Sequence, residues 1–135
     1  MGTTAYLSVS FSKRKQAERA LNAIVATLNG FNIAAFIFVD NYKFDAAAEK
    51  EMMRQAMADI DQSDFLIAET SEKGIGIGIE AGYAKAKGKP VVYVRQKDAE
   101  HSTTLSGISD FQVVYKDSED LQKKLDPVIR RILGV

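Results

Sequence analysis

One carboxylate stands out by its setting. Glu80 follows three glycines at alternate positions, in the run Gly74-Ile75-Gly76-Ile77-Gly78-Ile79-Glu80-Ala81-Gly82-Tyr83-Ala84. Glycines between a strand and a helix let the backbone approach a ligand closely and aim helix N-terminal amides at it. The spacing is neither the dinucleotide-binding Gly-x-Gly-x-x-Gly nor a Walker loop, because no lysine follows. Read on its own, the run is equally a flexible strand-to-helix turn, and Glu80 a solvated first-turn acid favoured by the helix dipole. The functional reading makes it an ionised nucleophile. A second cluster, Ser10-Phe11-Ser12-Lys13-Arg14, offers two hydroxyls and two cations at a predicted helix start, a fitting anion site. The bland alternative there is an ordinary serine-capped surface helix.

Composition narrows the chemistry. Lys plus Arg and Asp plus Glu number 18 each, so the chain has no basic excess for a nucleic-acid polymer. With no cysteine and His101 alone, thiolate chemistry and multi-histidine metal sites are excluded. His101 lies in a polar loop and reads as a surface residue. No apolar run approaches a membrane span, and the first residues show no secretion signal, so a cytoplasmic location without membrane attachment is expected. At 135 residues, 46% of them hydrophobic, the chain is the size of one domain, taken as 1–135.

The elements that must position these groups alternate. Thr4 to Ser10 reads as a first strand. From Ser12 the period changes, with Ala17, Ala20, Leu21, Ile24, Val25 and Leu28 on one helical face and Gly30 as the stop. Ile33 to Val39 is nearly continuously apolar, as a strand buried on both faces would be. Asp40 to Phe44 is a polar loop, whose Tyr42 and Phe44 suit either stacking on a base or packing. Asp45 is placed to cap a helix reaching Ile60, with Ala48, Met52, Ala56 and Ile60 on one stripe. Met52, Met53 and Met57 read as helix packing. Asp64 to Glu69 is a third strand. A helix then carries Glu80 in its first turn and ends at Gly88, before Pro90. Pro90 to Arg95 and Phe111 to Tyr115 are strands, separated by a polar loop with one helical turn at Thr104 to Ile108. Ser118 to Leu133 is a last helix, in which Leu121, Leu125, Val128 and Ile132 point inward and Pro127 should kink or divide it.

This order predicts an α/β fold: a three-layer, flavodoxin-like (Rossmann-like) domain with a five-stranded parallel sheet in the order 2-1-3-4-5. Ligands bind such sheets beyond the carboxyl ends of the strands, at the switch point between the first and third. The loops of interest are then Ser10 to Lys15 and Thr70 to Glu80.

Asp64-Phe65-Leu66-Ile67-Ala68-Glu69-Thr70, the run Gly76-Ile77-Gly78-Ile79-Glu80-Ala81-Gly82-Tyr83-Ala84, and Gly88-Lys89-Pro90-Val91-Val92 together resemble the nucleoside 2-deoxyribosyltransferase family, which includes the 2′-deoxynucleoside 5′-phosphate N-hydrolases. Ala5-Tyr6-Leu7, Leu105-Ser106 and Phe111-Gln112-Val113 extend the resemblance over most of the chain. It implies cleavage or transfer at the N-glycosidic bond of a 2′-deoxynucleoside or its 5′-monophosphate, without a cofactor or metal. It implies Glu80 as nucleophile and Tyr6 as the tyrosine that hydrogen-bonds it. The turn Ser10, Ser12, Lys13 and Arg14 would bind the 5′-phosphate, with Gly74, Gly76 and Gly78 beside the substrate. Ser106 matches a serine that reaches the phosphate from a neighbouring subunit, so a homodimer or larger homo-oligomer is implied.

The chain also departs from the family. The aspartate that protonates the leaving base corresponds to Ala56, and an aspartate of the transferase branch corresponds to Gly74. Asp59, one helical turn on, and Glu69, at the end of the third strand, are the substitute acids the sequence offers. General-acid help is worth roughly 10²–10⁴-fold. The alternative to an enzyme is therefore a nucleotide-binding module of the same fold with impaired catalysis.

Overall fold

Alternation along the first strand divides the molecule. The computed structural model describes residues 2–10 and 14–135. In β1 (Thr3–Val9), Ala5, Leu7 and Val9 pack into one apolar layer, and Tyr6 into the other, with Ser8 on the same side as Tyr6 by strand alternation. β2 (Ile33–Ile37), β3 (Phe65–Glu69), β4 (Val91–Gln96) and β5 (Phe111–Tyr115) complete an all-parallel sheet in the order β2-β1-β3-β4-β5, the order expected.

Each face is covered by helices whose apolar stripes match it. On one side, α1 (Glu18–Gly30) contributes Leu21, Ile24 and Leu28, and α6 (Ser118–Leu133) contributes Leu121, Leu125 and Ile129. Phe38–Asn41 forms a short α2, and α3 (Glu49–Asp61), α4 (Ile75–Ala86) and α5 (Thr103–Ile108) cover the other side with Ala56, Ile60, Ile77, Ala81, Ala84 and Leu105. The helical turn expected in the late loop is α5, capped by Ser102, whose Oγ accepts from Leu105 N. No helix among the described residues is long and apolar enough to cross a membrane.

Several local expectations are corrected. The second strand ends at Ile37 and, at the edge where the expected order places it, buries only Ile33 fully; the chain turns helical at Phe38. Asp45 makes no cap bond; it precedes a single 3₁₀ turn (Ala46–Ala48), and α3 begins at Glu49. Pro127 does not divide α6, because Leu121, Leu125 and Ile129 anchor the helix on both sides of the missing donor. The glycine run is not a turn. Gly74 is the N-cap residue of α4, so Gly76 and Gly78 lie inside the helix and Glu80 falls in its second turn. Helical glycine costs roughly 1 kcal/mol against alanine, which the buried Ile77, Ala81 and Ala84 offset. The expected start at Ser12 lies outside the described residues; α1 is helical from Glu18.

The far end of α4 is fastened to the sheet. Gly88 adopts φ +75°, its N–H donates to Lys85 O and that of Lys89 to Ala84 O, a Schellman closure before Pro90. Asp110 then ties α4 to β4: Oδ1 accepts from Lys85 Nζ at 2.8 Å and Oδ2 from Val91 N at 2.9 Å. Partial burial pushes this carboxyl up, but Lys85 and the Val91 N–H outweigh it and leave it below its ordinary value. A carboxyl lowered by folding stabilises the native state above its unfolded pKa, and that contribution fades as pH falls through the folded value. Asp110→Ala is expected to cost about 1 kcal/mol at neutral pH, with a deficit that narrows in acid; paired thermal melts at pH 7 and pH 3 check both.

Candidate active site

Strand β1 and helix α4 meet at the switch point, and there the chain joins three groups far apart in sequence. Tyr6 OH donates to Glu80 Oε2 at 2.7 Å, and Ser8 Oγ donates to Glu80 Oε1 at 2.5 Å. Tyr6 and Ser8 share one strand face, two residues apart, so each carboxylate oxygen receives its own hydroxyl. Tyr6 is fully buried and Ser8 is 1% exposed, so both donors are fixed by the core. Tyr6 is braced further by the rings of Phe36 and Phe38, at centroid distances of 5.8 and 6.4 Å.

Opposing forces act on the proton of Glu80. Burial is the largest and pushes its pKa up; the Ser8 and Tyr6 hydrogen bonds pull it down, and the net direction is upward. The Tyr6 phenol is driven far up, first by burial and then by the Glu80 charge, so it stays a donor at any ordinary pH. Glu80 sits in the second turn of α4, beyond the first-turn reach of the helix dipole, and its carboxylate is held by side-chain hydroxyls instead.

Glu80 and Ser8 open onto a cavity of about 610 Å³. Its floor is the β1 end, its walls are Phe38, Val39, Phe44, Met52, Met53 and Ala56 on one side and Gly74 to Ile77 on the other, with Asp45 and Glu49 among the lining. Both of those acids are exposed. Phe44 therefore reaches the cavity, whereas Tyr42 packs among Phe36, Phe38 and Phe44. Met52 and Met53 line the cavity as well as packing α3.

The structure brings some of the expected residues together and separates others. Ser10, Gly74 and Gly76 line the Glu80 cavity, and Gly78 lines an adjoining hollow of about 390 Å³. Ser12 and Lys13 lie outside the described residues. Arg14 is committed elsewhere, its Nε and an Nη each 2.7 Å from the Asp40 carboxylate. Ser106 accepts from Gln112 of its own chain and does not line the cavity.

Neither substitute acid lines the Glu80 cavity. Glu69 shares the strand parity of Phe65 and Ile67, so it points to the opposite layer. There it accepts from Ser71 N at 2.7 Å, Ser71 Oγ at 2.8 Å and Tyr115 OH at 2.7 Å. Burial and the Glu69 charge push the Tyr115 phenol up. Asp59 is absent from the cavity lining; Oδ1 accepts from Gln55 at 3.1 Å, and Oδ2 is buried without a hydrogen-bond partner. The group that sequence reasoning missed is Ser8. Its signal was the alternation Tyr6, Ser8, Ser10, which puts a polar row on one face of an otherwise apolar strand.

Comparison with known proteins bears on the family and the fold. The family model described as nucleoside 2-deoxyribosyltransferase matches residues 5–124. A protein of Thermofilum pendens, assigned by name as 2′-deoxynucleoside 5′-phosphate N-hydrolase 1, is 29% identical over 85 residues, and the match spans only 59% of this chain and 59% of that relative. The structure of the Clostridium botulinum CMP N-glycosidase BcmB is similar with a TM-score of 0.65 at 19% identity, covering 93% of this chain and 99% of that one. A 2-deoxyribosyltransferase of Bacillus psychrosaccharolyticus is similar with a TM-score of 0.69 at 16% identity, covering 89% and 90%. The two structural likenesses establish the fold, and the family match, over most of the length, establishes more: the chain belongs to the nucleoside 2-deoxyribosyltransferase family.

Proposed function

We propose that this chain cleaves or transfers the N-glycosidic bond of a 2′-deoxynucleoside or its 5′-monophosphate, with Glu80 as nucleophile. The observation that carries this is the clamp on Glu80, a carboxylate held by Tyr6 and Ser8 at the edge of a cavity able to take a nucleoside. A Glu80 oxygen attacks C1′ as the base departs through an oxocarbenium-like transition state. Water, or a second base, then takes the sugar from the glycosyl-enzyme. Tyr6 and Ser8 aim the carboxylate and favour its ionised form, and their bonds strengthen again when negative charge returns to Glu80 as the sugar leaves.

The 5′-phosphate is assigned to Ser10, Ser12 and Lys13; Arg14 joins them only by leaving Asp40. The working unit is a homo-oligomer in which Ser106 serves a neighbouring copy. Two features support this: Ser106 lies away from its own chain's cavity, and α4 exposes Ile75 and Ile79 at 84% and 53%. The protein is expected to work in the cytoplasm. A binding module with impaired catalysis is the second reading, favoured by the apolar Ala56 methyl on the α3 wall. That reading requires nucleotides to raise the melting temperature without any release of free base.

Two variants test the nucleophile and its clamp. Glu80→Gln is expected to abolish base release while melting at least as high as the wild type at pH 7. The sign follows from burial: a carboxyl whose folded pKa is raised loses stability as pH rises from the unfolded to the folded value, so removing its charge removes that penalty. Undiminished base release by Glu80→Gln excludes the mechanism. Ser8→Ala removes one of the two bonds that lower the Glu80 pKa, so the acid limb of kcat/KM is expected to move to higher pH, with Ser8→Thr restoring it. An unmoved limb in Ser8→Ala means that Ser8 does not set the ionisation of Glu80.

A further inference from the structure

The cavity has an unusual lining for a site that releases a neutral base. Among its described residues are three acids, Glu80, Asp45 and Glu49, and no lysine or arginine. The cations of α3 do not line it; Arg54 pairs with Glu51 of its own helix. Arg14 is held in the bidentate pair with Asp40. Apart from Ser8 and Ser10, the remaining lining side chains are apolar or aromatic. Phe38 and Phe44 lie nearly parallel, 8° apart with centroids at 6.1 Å, and both line the cavity. Carboxylates and aromatic rings lining one cavity are the groups that receive an organic cation.

The leaving-group problem points the same way. A neutral base departs as an anion unless an acid protonates it, which is why glycosidases carry a second carboxyl facing the nucleophile. Here the α3 wall presents Met52, Met53 and Ala56, Glu69 is on the other side of the sheet, and Asp59 is outside the lining. A base that is already cationic at the glycosidic linkage needs no proton.

We infer that the preferred substrates are nucleosides or nucleotides whose base carries a fixed positive charge, such as an N-glycosyl pyridinium or an N7-alkylated purine. The inference rests on Glu80 acting as proposed above. In the first step the C1′–O bond to Glu80 forms as the C1′–N bond breaks. The bonding pair stays on nitrogen, cancels the ring's charge, and the base leaves neutral. In the second step water attacks C1′, the ester bond returns its pair to Glu80, and the proton of the water passes to solvent. The sum is cationic nucleoside plus water to neutral base, free sugar and one proton.

The test compares 7-methyl-2′-deoxyguanosine with 2′-deoxyguanosine, which share a sugar and differ by one methyl group and one charge. The 2′-deoxyriboside of nicotinamide serves as a pyridinium probe. Base release by the whole protein is followed by chromatography, and each kcat/KM is divided by the spontaneous rate of the same compound. The corrected ratio is expected to favour the cationic purine by about 10-fold or more, with nicotinamide released from the pyridinium probe. The Asp45→Asn, Glu49→Gln double variant should bring the ratio back toward unity. A corrected ratio at or below unity, with 2′-deoxyguanosine cleaved in a Glu80-dependent manner, overturns the substrate inference and leaves the glycosidic mechanism standing. Failure to cleave any of the three compounds or other deoxynucleosides overturns both.

Discussion

The site depends on one physical constraint, the burial of a carboxylate between two hydroxyls. Glu80 comes out of bulk water as α4 packs on the sheet, and that transfer is costly unless each oxygen is met by a donor. Tyr6 and Ser8 meet them, one each, from a strand more than seventy residues earlier in the chain. The three groups converge only if β1 and β3 are neighbours, if α4 crosses back over them, and if the register puts Tyr6 and Ser8 on the α4 face. The sheet order and the parity of β1 are therefore requirements of the site as much as of the core.

The rest of the molecule can be read as support for that clamp. Phe36 and Phe38 fix the Tyr6 ring, and Ile77, Ala81 and Ala84 seat α4 on the sheet. The Asp110 staple and the Gly88 closure hold the end of α4 away from the site. On the opposite layer, Glu69 is a buried carboxylate with three donors, all supplied by Ser71 and Tyr115, and it borders only a small hollow of about 130 Å³. Glu80 has two donors and borders a cavity of about 610 Å³, so it is the less saturated acid and the one beside the larger space.

Much of this was legible in the chain. Period 2 and period 3.6 alternate cleanly enough to give the parallel sheet, its order and the switch point, and the Glu80 and Tyr6 motifs carry the family resemblance. What escaped has physical causes. The glycines at 74, 76 and 78 look like a turn because glycine weakens helices, yet the buried side chains between and after them hold α4 together. The apolar run from Ile33 looks like one strand buried on both faces, but it is divided between a half-exposed strand and a short helix that lines the cavity. Ser8 was silent because a serine in a strand carries no chemical label until the residue opposite it is known. The facing of Asp59 and Glu69 depends on helix rotation and strand parity, which residue types alone do not determine.

The central claim, that the clamped Glu80 forms a bond to the sugar, is open to a direct measurement. A 2′-fluoroarabino nucleoside slows both steps of such a reaction, and slows the release of the sugar enough for the intermediate to persist. Intact-mass spectrometry of protein mixed with this compound is predicted to show one glycosyl group added per chain, located by peptide mapping on Glu80 and missing in Glu80→Gln. A glycosyl group on another residue, or steady base release with no adduct while Glu80→Gln remains active, would contradict the account.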